Sequence, residues 1–157
     1  MVISAELEQV SKSIIYLHRE LFAESPSPMK LQKLCYYAQG YALAESKELF
    51  PEDFQAWQHG PVVPELYHRY KHFQWRQISD EIDAAELVED LDYLRDIVSA
   101  YGRYDGAALS TMTHREKPWL EARIGLDEMD GSDNPIPKNS ICMFFRTQLK
   151  EYGEAAE

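Results

Sequence analysis

The 157-residue sequence has few cysteines and no long apolar run, which disfavours several classes of protein. Its two cysteines, Cys35 and Cys142, are far apart and flanked by apolar residues, so neither a disulfide framework nor a zinc cluster is predicted. The N-terminus lacks a continuous apolar signal segment, and charges interrupt the chain well before the ~20 apolar residues that a membrane helix needs. These features predict a cytoplasmic protein that does not enter a membrane.

Basic residues are scarce relative to acidic ones. Sixteen lysines and arginines stand against 27 aspartates and glutamates, which gives a formal net charge of -11. Because this charge repels nucleic-acid backbones and anionic lipid headgroups, direct binding to nucleic acid is disfavoured. The 45% of hydrophobic residues is typical of a folded globular protein, and the length is that of one domain.

Motifs of familiar enzymes and metal sites are also missing. The sequence contains no HExxH, no CxxC, no GxSxG and no glycine-rich phosphate-binding loop. The acidic loop around Asp130 has Pro135 at the position where a calcium loop needs glycine. We therefore expect no metal, no cofactor and no catalytic residue, and a protein that is not an enzyme.

Apolar residues recur at steps of three and four along most of the chain, which is the spacing of amphipathic α-helices. One helix is predicted from Ser4 onward. A second, apolar on more than one side, is predicted from Pro28 to about Ala44 with Ser27 as its N-cap. Further helices are predicted after Pro64, from Asp83 to a left-handed Gly102, after Asp105, from Pro118, and from Lys138 to Tyr152. The pattern predicts a mainly α fold of six to seven helices.

Strand signals are confined to two short segments. One lies at Phe54 to Gln58 within a proline-rich stretch, and we expect a second, beginning at Ile78, to pair with it. Residues 126–137 are predicted to be a loop. The expected architecture is one compact domain over residues 1–152 with a small two-stranded β element, followed by a loose tail at residues 153–157.

Two neighbouring segments have opposite charge. Residues 66–79 contain three lysines or arginines, four aromatic residues and no acid, whereas residues 80–96 contain eight acids and one base. We expect ordinary solvated helix faces that neutralise each other across a helix contact. The alternative is a metal- or nucleotide-dependent enzyme that uses the basic aromatic helix together with His59, His68 and His72.

Three segments, taken in order, resemble a known family. They are KLQKLCYYAQGYALA at 30–44, AWQHGPVVPELYHRYK at 56–71 and LSTMTHREKPW at 109–119. Together they resemble the Panacea, or SocA-like, antitoxin domain, a family related to the phage-associated GepA proteins. Cys35 departs from the pattern, since the family commonly has leucine there. The matching residues that we expect to be structural are Leu31, Gln32, Lys33, Leu34, Tyr36, Tyr37, Gly60, Thr113, His114, Pro118 and Trp119.

The resemblance implies a mainly helical, non-enzymatic antitoxin that neutralises a small toxin by direct binding. It also implies a gene beside that of the toxin in a bacterial or prophage operon. Some relatives resemble proteolytic adaptors that deliver a bound toxin to a cytosolic AAA+ protease, and this role is the second alternative. Family members are paired with chemically unrelated toxins, so the resemblance does not identify the partner.

The proline-rich turn of the second segment is the predicted toxin contact. Its prolines fix φ and remove donors, so the turn loses little entropy on binding and presents its aromatic neighbours rigidly. Acidic residues farther along the chain are expected to attract a basic partner. The predicted contact residues are Trp57, His59, Pro61, Pro64, Tyr67, Tyr70, Glu89, Asp92 and Asp96.

Overall fold

A computed structural model describes the backbone of residues 2–156 and the side chains of residues 2–151. The side chains of residues 153–157, where a loose tail is predicted, lie outside the described residues. The described chain forms seven α-helices and three short strands. The helices are α1 (Ala5–Phe22), α2 (Pro28–Ala44), α3 (Pro64–Tyr70), α4 (Asp92–Tyr101), α5 (Gly106–Thr113), α6 (Lys117–Ala122) and α7 (Lys138–Ala156), and the strands are β1 (Phe54–Trp57), β2 (Gly60–Val62) and β3 (Pro135–Ile136).

The first two helices begin where the sequence predicts, because their N-terminal caps are local. The Ser4 hydroxyl accepts a hydrogen bond from the N–H of Leu7 at 3.0 Å, and the Ser27 hydroxyl accepts one from Lys30 at 3.3 Å. Helix α2 is the centre of the molecule, since every residue from 31 to 40 is buried. Helices α1, α4, α5 and α7 pack around it, and the predicted mainly α fold is confirmed.

The β element has three strands, whereas two were predicted. The antiparallel order is β2-β1-β3, and the third strand comes from the segment 126–137 that was predicted to be a loop. Only two residues pair in β3, too few to show an alternating pattern in the sequence. The predicted strand at Ile78 is wrong, because the N–H of Ile78 instead donates to the carbonyl of Pro26 at 3.0 Å, in the connection between α1 and α2.

Helix α4 is shorter than predicted. Asp83 caps only a 3₁₀ turn, Ala84–Glu86, in a capping box with Glu86, and the α-helix begins at Asp92. Gly102 is not left-handed, since its φ is -66°. A Cβ at Gly102 would lie 2.5 Å from the Phe22 ring, so glycine is needed there for the close approach of α4 to α1.

The two oppositely charged segments do not neutralise each other in the described ion pairs. Both are instead paired with α1: Arg69 of the basic segment lies 3.3 Å from Glu8, and Glu86 of the acidic segment pairs with Lys12. Arg95 likewise contacts Glu20 of α1 at 3.4 Å. Within the described chain no helix is both long and apolar enough to cross a membrane.

Candidate partner-binding site

The turn between β1 and β2 and the strand before it accept hydrogen bonds from side chains of α5, of α6 and of Arg123, which follows α6. The Ser110 hydroxyl donates to the carbonyl of His59 at 2.5 Å, and the Trp119 indole donates to the carbonyl of Trp57 at 2.7 Å. The Arg123 guanidinium donates to the carbonyl of Ala56 at 2.9 Å. Three carbonyls in this stretch therefore have fixed side-chain donors, and the turn is rigid.

Gly60 allows the turn to approach α2 closely. Its φ is +119°, a conformation that side chains rarely adopt, and a Cβ there would lie 2.6 Å from Cε of Lys33 and 2.8 Å from Oγ1 of Thr113. Backbone strain and steric overlap both disfavour any other residue at this position. The expected structural role of Gly60 thus has a specific cause in the packing of Lys33 beneath it.

Helix α2 fixes the segment after the turn through Gln32. The amide of this buried side chain accepts from the N–H of Val63 at 2.9 Å and donates to the carbonyl of the same residue at 3.0 Å. One side chain therefore satisfies both backbone groups of Val63, as a neighbouring strand would. This pairing places Pro64 at the first position of α3 and sets the direction of that helix.

Lys33 has a buried side-chain amine with one hydrogen-bond partner among the described residues. Its side chain is 1% exposed, and its amine donates to the carbonyl of Pro61 at 3.2 Å. Burial lowers the pKa of Lys33 to about 7, since desolvation disfavours the ammonium form. No described carboxylate pairs with this amine, which leaves donor capacity unused.

A cavity of about 310 Å³ lies between the N-terminal part of α2, β2 and α3, and we call it the α2–α3 cavity. Tyr67 and Trp57 meet edge to face at its mouth, with their ring centres 4.9 Å apart. Most of its surface is apolar, and none of the described residues that line it is acidic. They are Pro28, Met29, Leu31, Gln32, Lys33, Trp57, His59, Val62, Leu66, Tyr67, Tyr70, Lys71 and Gln74.

The structure brings four of the predicted contact residues to this cavity. Trp57 is half-buried, and His59 and Tyr67 are exposed, whereas Tyr70 is only 2% exposed and lies deeper. The other two residues predicted near the turn, Pro61 and Pro64, are buried and do not line the cavity. The remaining three, Glu89, Asp92 and Asp96, are exposed at or before α4 and form a separate acidic surface.

The Trp119 ring also packs against two other side chains. His114 stacks on it, with ring centres 4.2 Å apart, and the guanidinium of Arg123 lies 4.7 Å from the ring centre. Burial lowers the pKa of His114, which favours the neutral imidazole in this stack. Arg123 was missed by the sequence reasoning, because nothing in its neighbourhood distinguishes it from a surface arginine.

Glu116 and Tyr37 form a polar pair at another point along α2. The Tyr37 hydroxyl donates to Oε2 of Glu116 at 2.9 Å, and Oε1 of Glu116 is buried without a described partner. Burial raises the pKa of Glu116 to about 7, since the hydrogen bond from Tyr37 offsets only part of the desolvation. This pair joins the start of α6 to the core and lines none of the described cavities.

The histidines of the alternative enzyme site are all exposed. His59 lies on the turn, while His68 and His72 lie on and just after α3. Among the described residues, no three histidine, cysteine, aspartate or glutamate side chains are grouped so as to hold a metal ion. The geometry of this region is that of an aromatic cavity with cationic groups.

One protein-family model matches a large part of the chain. The family model described as antitoxin SocA-like, Panacea domain, matches residues 31–120, which is more than half of the chain and extends from α2 into α6. No curated protein and no solved structure matches the chain. The matched span contains Gln32, Lys33, the β1–β2 turn and Trp119. The chain therefore belongs to the antitoxin SocA-like, Panacea domain family, and this membership indicates an antitoxin-type role.

Proposed function

We propose that this chain is the antitoxin of a toxin–antitoxin pair and that it neutralises a small toxin protein by binding it directly. The observation that carries the proposal is the rigid β1–β2 turn beside the α2–α3 cavity. Side-chain donors hold the carbonyls of Ala56, Trp57 and His59, so presenting this surface requires little ordering on binding. Family membership supports the antitoxin role, and the turn lies inside the matched span.

Aromatic side chains are expected to supply most of the binding energy. Tyr67 is 39% exposed and Trp57 is half-buried, so both have area left to bury while their packing restricts their rotamers. Such aromatic anchors commonly dominate the energy of an interface, and a stable complex buries roughly 1,200 to 2,000 Å² in total. His59 is exposed at the edge of the same surface and fits a peripheral polar contact.

The acidic surface at Glu89, Asp92 and Asp96 is proposed as a second contact region. These side chains are exposed, and Asp92 also pairs with Arg95 on its own helix at 3.3 Å. Exposed charges act mainly on the rate of association. We therefore assign attraction of a basic toxin to this surface and anchoring to the cavity.

The test is co-expression with the small protein encoded by the adjacent gene, followed by affinity capture and a growth assay. We expect the wild-type chain to capture that protein and to restore growth. Tyr67→Ala and Trp57→Ala should each weaken binding about 30-fold or more, since truncating an anchor costs roughly 2 kcal/mol or more. Binding constants are measured by calorimetry on the purified pair.

Tyr16→Ala is the matched control, because Tyr16 is a tyrosine of similar exposure, 36%, on α1. Its binding constant should equal that of the wild type. Thermal unfolding of each variant separates loss of contact from loss of fold. Full neutralisation by folded Trp57→Ala and Tyr67→Ala variants would place the interface elsewhere on the molecule, and no capture by the wild type would refute the proposed pair.

A further inference from the structure

The α2–α3 cavity differs in charge from the molecule as a whole. The chain has a net charge of -11, yet no described residue lining this cavity is acidic, while two lysines, Lys33 and Lys71, line it. The rest of the lining is mainly apolar or aromatic. A group that enters the cavity therefore meets apolar walls and positive charge together.

Lys33 provides the specific polar feature of the cavity. Its side chain is 1% exposed, and its amine has a single backbone acceptor, the carbonyl of Pro61 at 3.2 Å. An ammonium group has three donors, and a buried cation without a carboxylate is costly. A carboxylate brought by a partner would satisfy the unused donors and neutralise the charge in a region of low dielectric, where such a hydrogen bond is strong.

The size of the cavity limits what can occupy it. At about 310 Å³ it lies at the lower end of the range for small-molecule sites, which favours one or two side chains over a whole nucleotide. The exposed edge formed by Trp57 and Tyr67 offers aromatic surface for a second apolar or aromatic group. A short peptide segment meets both requirements.

We propose that the α2–α3 cavity receives an anchor segment of the partner protein in which an acidic side chain adjoins an aromatic or aliphatic one. The acidic group pairs with Lys33, and its apolar neighbour packs against Trp57 and Tyr67. This inference rests on the proposed function, because the partner is the toxin. It adds the chemistry of the toxin segment that the antitoxin recognises.

The first experiment needs no toxin. N-acetyl-Trp-Asp-amide and N-acetyl-Trp-Asn-amide are titrated into the isotope-labelled full chain, and backbone amide shifts are followed by NMR. We expect the Asp peptide to shift the amides of Val62, Leu66 and Tyr67 and to bind about tenfold more tightly than the Asn peptide, since a charge-assisted hydrogen bond is stronger than a neutral one. Equal affinities, or shifts confined to other regions, would overturn the inference.

Two variants make the assignment specific. Lys33→Met keeps the length of the side chain without its charge, and it should bind the two peptides equally. Lys117→Met removes an exposed lysine on α6 that does not line the cavity, and it should keep the wild-type preference. If Lys33→Met does not fold, the affinities of the Asp and Asn peptides for the wild type still test the inference. Tighter binding of adenosine monophosphate than of the Asp peptide at the same amides would replace the peptide with a nucleotide and refute the inference.

The second experiment separates this inference from the proposed function. Replacement of each acidic residue of the toxin by its amide should identify at least one position that weakens binding to the wild type but not to Lys33→Met. If the wild type binds the toxin and neither these replacements nor Lys33→Met change the affinity, the acidic anchor is refuted and the antitoxin role stands. If the wild type binds the Asp peptide selectively but not the toxin, the acidic anchor stands and the antitoxin proposal fails.

Discussion

Lys33 couples the folding of this protein to pH through its burial. Its pKa is about 7 in the folded state and near the ordinary 10.5 when unfolded, so between these values the unfolded chain binds more protons. The contribution of Lys33 to stability therefore rises as pH increases from about 7 to 10.5, and it is least favourable below pH 7.

We predict that Lys33→Met stabilises the chain most at low pH. The substitution removes the cost of burying an ammonium group, and the gain at pH 6 should exceed that at pH 9 by roughly 1–3 kcal/mol. Urea unfolding at the two pH values measures the difference. An equal effect at both would show that the Lys33 amine is not desolvated in the folded protein.

Glu116 should produce a pH dependence of the opposite sign. Burial raises its pKa to about 7 from an ordinary 4.5, so between these values the folded state binds more protons. Its contribution to stability is fully present below pH 4.5 and is lost as pH rises through about 7. Glutamine is a permanent neutral mimic that still accepts the hydrogen bond from Tyr37.

We predict that Glu116→Gln has little effect on stability at pH 4.5 and raises it by roughly 1–3 kcal/mol at pH 8. The free energy of unfolding in urea is compared at the two values. Glu121→Gln is the control, because Glu121 is exposed on the neighbouring helix α6. If Glu116→Gln and the wild type differ in unfolding free energy by the same amount at both pH values, the pKa of Glu116 is not raised.

Gln32 is predicted to be the most important polar side chain of α2 for stability. Gln32→Ala leaves the N–H of Val63 without a described partner, whereas the carbonyl of Val63 keeps the hydrogen bond from the N–H of Tyr67 at 3.0 Å. A buried unsatisfied group costs roughly 1–3 kcal/mol, and we expect the free energy of unfolding to fall by about that amount. Gln9→Ala on the exposed side of α1 should change it by less than about 0.5 kcal/mol.

At the scale of elements, local signals located the starts of α1 and α2 but failed at α4, where Asp83 caps only a 3₁₀ turn and Gly102 is not left-handed. The starts of α1 and α2 follow from Ser4 and Ser27, whose hydroxyls cap residues three positions later. The pairing of β3 with β1 depends on chain segments about 80 residues apart, and no local pattern encodes it. At the candidate site, no local pattern identifies Arg123 as the donor to the carbonyl of Ala56, because the two residues are far apart in the chain. The role of the proline-rich segment as a partner contact stays a prediction.

The β1–β2 turn shows how one element depends on others for its shape. The Trp119 indole is the donor to the carbonyl of Trp57, and its ring also contacts His114 and the guanidinium of Arg123. Trp119→Phe removes the donor and retains most of the ring. Loss of one buried hydrogen bond should lower stability by about 1–2 kcal/mol.

Mobility should increase mainly in the turn. We predict that hydrogen exchange at residues 57–60 becomes faster in Trp119→Phe, while exchange in α1 follows only the change in global stability. Trp75→Phe is the control, because Trp75 is 82% exposed. Uniformly faster exchange throughout the variant would mean that Trp119 supports the core as a whole and has no specific effect on the turn.

For the whole molecule, the proposed contact residues fall into two regions of different charge. The α2–α3 cavity has lining lysines and no described acid, whereas Glu89, Asp92 and Asp96 are exposed at or before α4. A toxin that carries an acidic anchor on a basic surface would complement both. Interfaces often separate attraction over distance from anchoring at contact, since exposed charges affect association and buried pairs affect dissociation.

We predict that Glu89→Gln combined with Asp96→Asn slows association with the toxin several-fold at low ionic strength and leaves dissociation nearly unchanged. Both side chains are exposed and have no described ion pair, so the substitutions remove charge without disturbing the fold. Because the Debye length falls to about 3 Å at 1 M salt, the difference from wild type should disappear there. Both rate constants are measured by surface plasmon resonance. Lys33→Met should instead change the dissociation rate, which distinguishes the two regions. Faster dissociation of the acidic double variant would show that Glu89 and Asp96 are contacts.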